Sequence, residues 1–101
     1  MDNLPVGTIV RIKMPILGNR IGALGVCIEN YTIGKDHKGA SFIFENGYHD
    51  GFSVNEQNFM LRKVGFDQRL SAYQFKSAVW LAVDYNANIF DFERLGKEAA
   101  Q

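Results

Sequence analysis

The stretch GASFIFENGYHDGFS, residues 39–53, constrains this chain more than any other. Phe42 and Phe44 alternate with Ile43 and Glu45, Asn46-Gly47 supplies two residues that tolerate positive φ, and Tyr48 to Ser53 runs back. The pattern predicts a β-hairpin with a type I′ turn. A strict two-residue turn pairs Phe44 with His49 and Phe42 with Gly51, which puts Phe52 on the face opposite the two phenylalanines. Gly51 suits a β-bulge, and a bulge around residues 49–51 would return Phe52 to their side. A lone hairpin is marginal in water, so other elements must cover its apolar face.

Residues 6–14 alternate, with Val10, Ile12 and Met14 on one face and Arg11 and Lys13 on the other, and predict a half-buried strand that ends at Pro15. Gly18, Asn19 and Gly22 make the next segment a loop, in which Ile16 and Leu17 are unusual because loops seldom carry adjacent aliphatic residues. Residues 23–29 predict a second strand with Leu24, Val26 and Ile28 inward and Gly25, Cys27 and Glu29 outward. Residues 30–38 are rich in turn formers and charge and are expected to be a loop displaying Tyr31 and Ile33. After the hairpin, residues 53–58 predict a short turn or 3₁₀ piece and residues 59–64 a last strand.

A helix is predicted from Ser71, because Ser71-Ala-Tyr-Gln74 matches a capping box and Leu70 and Phe75 bracket it as a hydrophobic staple. Ala72, Phe75, Val79, Ala82 and Val83 fall on one arc of that helix. Leu70, Tyr73, Trp80 and Leu81 fall on a nearly opposite arc, which also holds Ser77 and Asp84. A helix apolar on two sides needs two things to pack against. Asn86 and Asn88 interrupt the pattern, and residues 89–95 predict a short terminal helix closed by Gly96.

At 101 residues the chain is expected to form a single domain, residues 1–101, large enough for a core without staples. Eleven basic and eleven acidic residues cancel, so no strongly basic half advertises nucleic acid. Cys27 is the only cysteine, which excludes an intramolecular disulfide and a cysteine-based zinc knuckle. With no secretory leader pattern and no apolar run of bilayer length, the expected location is the cytoplasm and no membrane partner is implied. Cys27, His37 and His49, with Asp36 or Asp50, are the only residues that offer nucleophilic or metal chemistry. No glycine elbow, paired carboxylates, oxyanion-hole signature or ligand spacing accompanies them. Gly34-Lys-Asp-His-Lys-Gly39 lacks the spacing of a phosphate loop. No catalytic, metal or cofactor site and no small-molecule substrate is inferred.

Gly7-Thr-Ile-Val-Arg-Ile-Lys13, Gly22-Ala-Leu-Gly-Val-Cys-Ile-Glu29 and Ser41-Phe-Ile-Phe-Glu-Asn-Gly-Tyr-His-Asp-Gly-Phe-Ser53 together resemble the SH3-like small β-barrels of the KOW and Tudor types, over residues 6–64. The fold implied is α+β: a five-stranded SH3-like barrel followed by a C-terminal helical appendage over residues 71–95. The resemblance implies a binding domain rather than an enzyme. Two surfaces are expected to carry binding. One is apolar, made by Leu70, Tyr73, Trp80 and Leu81 with Ile16, Leu17, Tyr31 and Ile33 at the loops, and would hold a protein partner or a second copy of the chain. The other is a small basic patch of Arg11, Lys13, Arg62 and Lys63, since the last strand of such a barrel runs beside the first; it would bind nucleic acid weakly.

Overall fold

The computed structural model describes residues 3–66. Five strands, β1 (Thr8–Ile12), β2 (Leu24–Ile33), β3 (His37–Phe44), β4 (His49–Ser53) and β5 (Leu61–Phe66), form one sheet in the order β4-β3-β2-β1-β5, with each neighbouring pair antiparallel. The single helix among the described residues, α1 (Val54–Met60), joins β4 to β5 without a linking residue.

The sheet corrects the expected barrel. β4 and β5 are its two open edges and do not pair, so the described chain is a mostly β, open antiparallel sheet carrying one short helix. The physical reason lies in the connection. A seven-residue helix follows one edge strand directly, leads directly into the other, and packs against both. Closure requires the edge strands to meet in register. The predicted helix from Ser71 and the terminal helix, which make up the 71–95 appendage, lie outside the described residues.

Local chemistry accounts for where α1 sits. Ser53 Oγ accepts from the Glu56 amide at 3.1 Å and Glu56 Oε1 accepts from the Ser53 amide at 3.0 Å, a complete capping box. This cap turns residues 54–60 into an α-helix where a 3₁₀ piece and the start of a strand were expected. The last strand begins two residues later than its expected start at Phe59.

The central hairpin forms by a different route from the one its sequence suggested. Its pairs are Ile43 with His49, Phe42 with Asp50, Ser41 with Gly51 and Ala40 with Phe52. Gly47 N–H donates to the Phe44 carbonyl at 2.8 Å and Phe44 N–H to the Tyr48 carbonyl at 2.9 Å, leaving a three-residue loop that ends on Gly47 at φ 87°. The extra residue therefore sits in the turn rather than in a bulge at residues 49–51. The consequence for Phe52 is the same: it meets Phe42 and Phe44 edge-on, with ring centroids 5.8 and 5.9 Å apart.

β2 and β3 form a longer hairpin than expected, with pairing that continues to Ile33 and His37. Residues 30–33 belong to β2 rather than to a loop. A register shift between Cys27 and Glu29 leaves Ile28 unpaired.

Both faces of the sheet are apolar. On the first, Val10, Ile12, Ile16, Cys27, Ala40, Phe42, Phe44, Phe52 and Leu61 form one core, with Leu4, Val6 and Met60 packed against it. Cys27 thus lies in that core, opposite Phe42, instead of facing out. On the second, Ile9 pairs with Val26 and Val26 with Ile43, and these three are 1%, 1% and 0% exposed.

Candidate functional site

The loop between β1 and β2 is built from two tight turns. In the first, Ile16 and Asn19 bridge, with Asn19 N–H donating to the Ile16 carbonyl at 2.8 Å. The two residues between them, Leu17 and Gly18, have φ of 50° and 82°. Glycine or asparagine is the ordinary occupant of such a position, and a leucine there costs about 1–2 kcal/mol because its Cβ crowds the backbone. Leu17 is the only described residue other than glycine with positive φ. The second turn is closed by Ala23 N–H on the Arg20 carbonyl and uses Gly22 at φ 92°.

Asn46 ties this loop to the central hairpin. Its Nδ2 donates to the Leu17 carbonyl at 2.7 Å while its Oδ1 accepts from the Tyr48 amide at 3.1 Å. One side chain therefore fixes both the strained turn and the residue that follows the hairpin loop. Leu17, Ile21 and Tyr48 are 39%, 66% and 65% exposed, so this end of the sheet presents an apolar rim. Ile16, expected beside Leu17 in a binding surface, is instead buried in the core. The sequence signal for Ile21 was its place beside the turn residue Gly22, which sequence reasoning did not use.

Tyr31 and Ile33 lie at the other end of β2, away from Leu17. Leu24, which starts β2 at the Leu17 end, is seven residues from Tyr31, or about 23 Å of extended strand. Tyr31 is half-buried over two glycines: a Cβ placed on Gly39 would come within 2.5 Å of its ring, and one on Gly51 within 2.6 Å of its hydroxyl. The ring thus covers its direct cross-strand partner Gly39 and the strand beyond. Burial, followed by the nearby carboxylates of Glu56, Asp50 and Glu29, raises the Tyr31 hydroxyl above its ordinary pKa. Ile33, 65% exposed, stands at the hairpin tip. The four loop residues do not converge on one surface. Leu70, Tyr73, Trp80 and Leu81 lie outside the described residues.

Of the basic residues, the pairing brings Arg11 and Arg62 together and sets Lys63 on the alternate face. In the β1–β5 pairing Arg11 lies directly opposite Arg62 and Val10 opposite Lys63. Arg11 Nη1 donates to the Gly22 carbonyl at 2.7 Å, just before β2, and Lys13 Nζ to the Asn58 carbonyl of α1 at 3.0 Å, so the two side chains are held by different neighbours of β1. Phe59, 71% exposed, follows Asn58 directly.

The residues with reactive chemistry stay apart. Cys27 is fully buried, its Sγ 3.4 Å from the Leu4 carbonyl and accepting from Asn30 Nδ2 at 3.6 Å. Burial pushes the thiol up to about 12, against smaller opposing effects of the Glu29 backbone and Asn30 side chain. His37 pairs with Ile33 at one end of β3 while His49 pairs with Ile43, six residues along it and about 20 Å away. Asp36, His37 and Lys38 line an open cleft with Ser53, Val54 and Asn55, without a second histidine or a cysteine. Among the described residues no group of three or more His, Cys, Asp or Glu could hold a metal ion, and no helix is long and apolar enough to cross a membrane. Comparison of the chain with protein-family models, with curated proteins and with solved structures returns no match.

Proposed function

We propose that this chain is a non-enzymatic interaction module that binds a protein partner, or a second copy of itself, through the apolar rim of Leu17, Ile21 and Tyr48. The observation that carries the reading is Leu17. A strained backbone at a residue whose side chain is substantially exposed, pinned by Asn46, adds nothing to the core that would offset the strain. Exposed apolar and aromatic residues held on rigid turns are suited to anchor an interface. A cytoplasmic setting fits the lone buried thiol of Cys27.

The test places a photo-crosslinking amino acid at Tyr48 and, as the control, at Lys35 on the opposite hairpin, and examines adducts in the source cell together with the sedimentation of the purified protein. A discrete adduct from position 48 alone, or a dimer abolished by Leu17→Asp, is expected. A monomer that gives no adduct from position 48 overturns the reading.

A second reading is favoured by the direct pairing of Arg11 with Arg62, two cations suited to adjacent phosphates. In it the chain binds single-stranded nucleic acid weakly. Two phosphate contacts give a slope of log K against log salt of about −1.4. Arg62→Glu should reduce both affinity and slope. An affinity insensitive to salt rejects it.

A further inference from the structure

Asn46 is the chain's only asparagine followed by glycine. In that dipeptide the backbone nitrogen of the glycine can attack the carboxamide carbon of the asparagine, because the glycine has no Cβ to obstruct the approach. The fold puts the pair on the surface yet commits the atoms the reaction needs. Asn46 is exposed. Its Nδ2 donates to the Leu17 carbonyl at 2.7 Å and its Oδ1 accepts from the Tyr48 amide at 3.1 Å. The attacking nitrogen is engaged as well, since Gly47 N–H donates to the Phe44 carbonyl at 2.8 Å. The place demands a donor towards Leu17 and an acceptor towards Tyr48, which a carboxamide supplies. A carboxylate only accepts, and would set an oxygen against the Leu17 carbonyl.

We propose that Asn46 is a self-modification site, latched by the Leu17 turn, at which loss of the side-chain amide opens that turn for good. The Gly47 nitrogen gives up its proton and bonds to Asn46 Cγ. The Cγ–Nδ2 bond breaks, Nδ2 leaves as ammonia, and a cyclic imide remains. Water then opens the imide at either carbonyl, which yields aspartate or, with the main chain rerouted through Cγ, isoaspartate. In sum an amide and water give an acid and ammonia, so no further reactant is needed. In the folded chain the bonds of Nδ2 to Leu17, of Oδ1 to Tyr48 and of the Gly47 amide to Phe44 must all let go first. Neither product re-forms the bond to Leu17 as a carboxylate. Isoaspartate also lengthens the main chain of the three-residue loop that sets the register of β3 on β4. Leu17, at φ 50°, then lacks the bond that pinned its strained backbone, and the turn relaxes. The inference does not depend on the function proposed for the Leu17 rim.

The experiment incubates the full chain at mildly alkaline pH, folded in buffer and unfolded in guanidinium, and follows ammonia release together with the mass of the peptide carrying residue 46. Asp50-Gly51 can cyclise too, but it releases water, so ammonia separates the two sites. Conversion at position 46 ahead of the other asparagines is expected in guanidinium. In the folded chain it should be slower by at least about tenfold, the factor that one net hydrogen bond imposes. Equal rates in the two samples overturn the latch, and an unconverted Asn46 in guanidinium overturns the chemistry. Asn46→Asp installs one product directly, and hydrogen exchange reads its consequence. The Asn19 amide, which closes the Leu17 turn on Ile16, should exchange faster than in the wild type, while the Gly7 amide, bonded to the Cys27 carbonyl at 2.9 Å, keeps its protection. An unchanged Asn19 rate overturns the opening of the turn. Loss of protection at Gly7 as well overturns a change confined to it.

Discussion

Gln57 offers the sharpest test of what holds the open sheet in shape. It is 3% exposed, its Oε1 accepts from the Leu4 amide at 3.2 Å, and its Nε2 donates to Asn3 Oδ1 and to the Phe52 carbonyl, both at 2.9 Å. One side chain thereby clasps the N-terminal segment, α1 and β4. Asn3 extends the clasp to β3 by donating to the Gly39 carbonyl at 2.9 Å. Gln57→Leu keeps the volume roughly constant and removes all three bonds. The Phe52 carbonyl and the Leu4 amide are then orphaned, at about 1–3 kcal/mol for each buried group, less what water recovers at the half-buried Leu4. A loss of about 3 kcal/mol is expected, which for a domain of this size lowers the melting temperature by roughly 10–20 °C. Urea unfolding followed by circular dichroism measures it. Gln57→Glu supplies the internal check. An ionised carboxylate would face the Phe52 carbonyl, so the folded-state pKa is raised above the ordinary glutamate value of about 4.3. A raised folded pKa means the stability is present below the ordinary value and lost as pH climbs through the raised one. The gap to the wild type should widen between pH 4 and pH 7. A loss below about 1 kcal/mol for Gln57→Leu, the worth of one solvated hydrogen bond, would refute the clasp.

Three further predictions follow from the same geometry. At position 17, glycine should be more stable than alanine by about 1 kcal/mol, the reverse of an ordinary site, because both lack the leucine side chain and only glycine escapes the left-handed penalty; equal melting temperatures would show no strain there. Cys27 should resist thiol reagents in the folded protein. Because its folded pKa stands at about 12 against an ordinary 9.0, the fold should lose stability as pH rises from 9 towards 12, at up to about 1.4 kcal/mol per pH unit, with Cys27→Ala flattening the curve. Gly39→Ala should displace the Tyr31 ring and so return the Tyr31 hydroxyl towards its ordinary pKa in an ultraviolet titration, while Tyr31→Leu should be destabilising by about 1 kcal/mol through loss of the cross-strand cover.

The strands over residues 8–12 and 39–53 were legible because Arg11, Glu45 and the turn residues punctuate them, although Ile9 beside Val10 and Ile43 beside Phe42 are buried on both faces. The facing of β2 failed, because Leu24, Val26, Cys27 and Ile28 are all buried and a strand covered on both sides erases the period of two. The hairpin turn misled for a different reason. Asn-Gly suits a two-residue loop, yet Gly47 alone in the left-handed region satisfies a three-residue one, and burial of Phe52 against Phe42 and Phe44 selects the latter. Ser53-Val-Asn-Glu56 carries the same capping signature that drew attention to Ser71, and the β-forming look of Phe59 to Val64 obscured it. Of the candidate basic residues, the pairing of Arg11 with Arg62 followed from the adjacency of the first and last strands. The strain at Leu17 was invisible, because a backbone dihedral has no counterpart in residue identity.

The open edges bear on how the basic residues can be studied. Arg62 and Lys63 lie on β5, where unpaired amides and carbonyls invite a neighbouring molecule to add a strand. Charge on an exposed edge is a common guard against such stacking. Replacing both cations with apolar residues would therefore confound loss of ligand binding with fibril formation, and any apparent gain in affinity would come from assemblies. Charge reversal keeps the guard while removing the attraction for phosphate, so a glutamate at position 62 separates solubility from recognition where an alanine or valine would merge them.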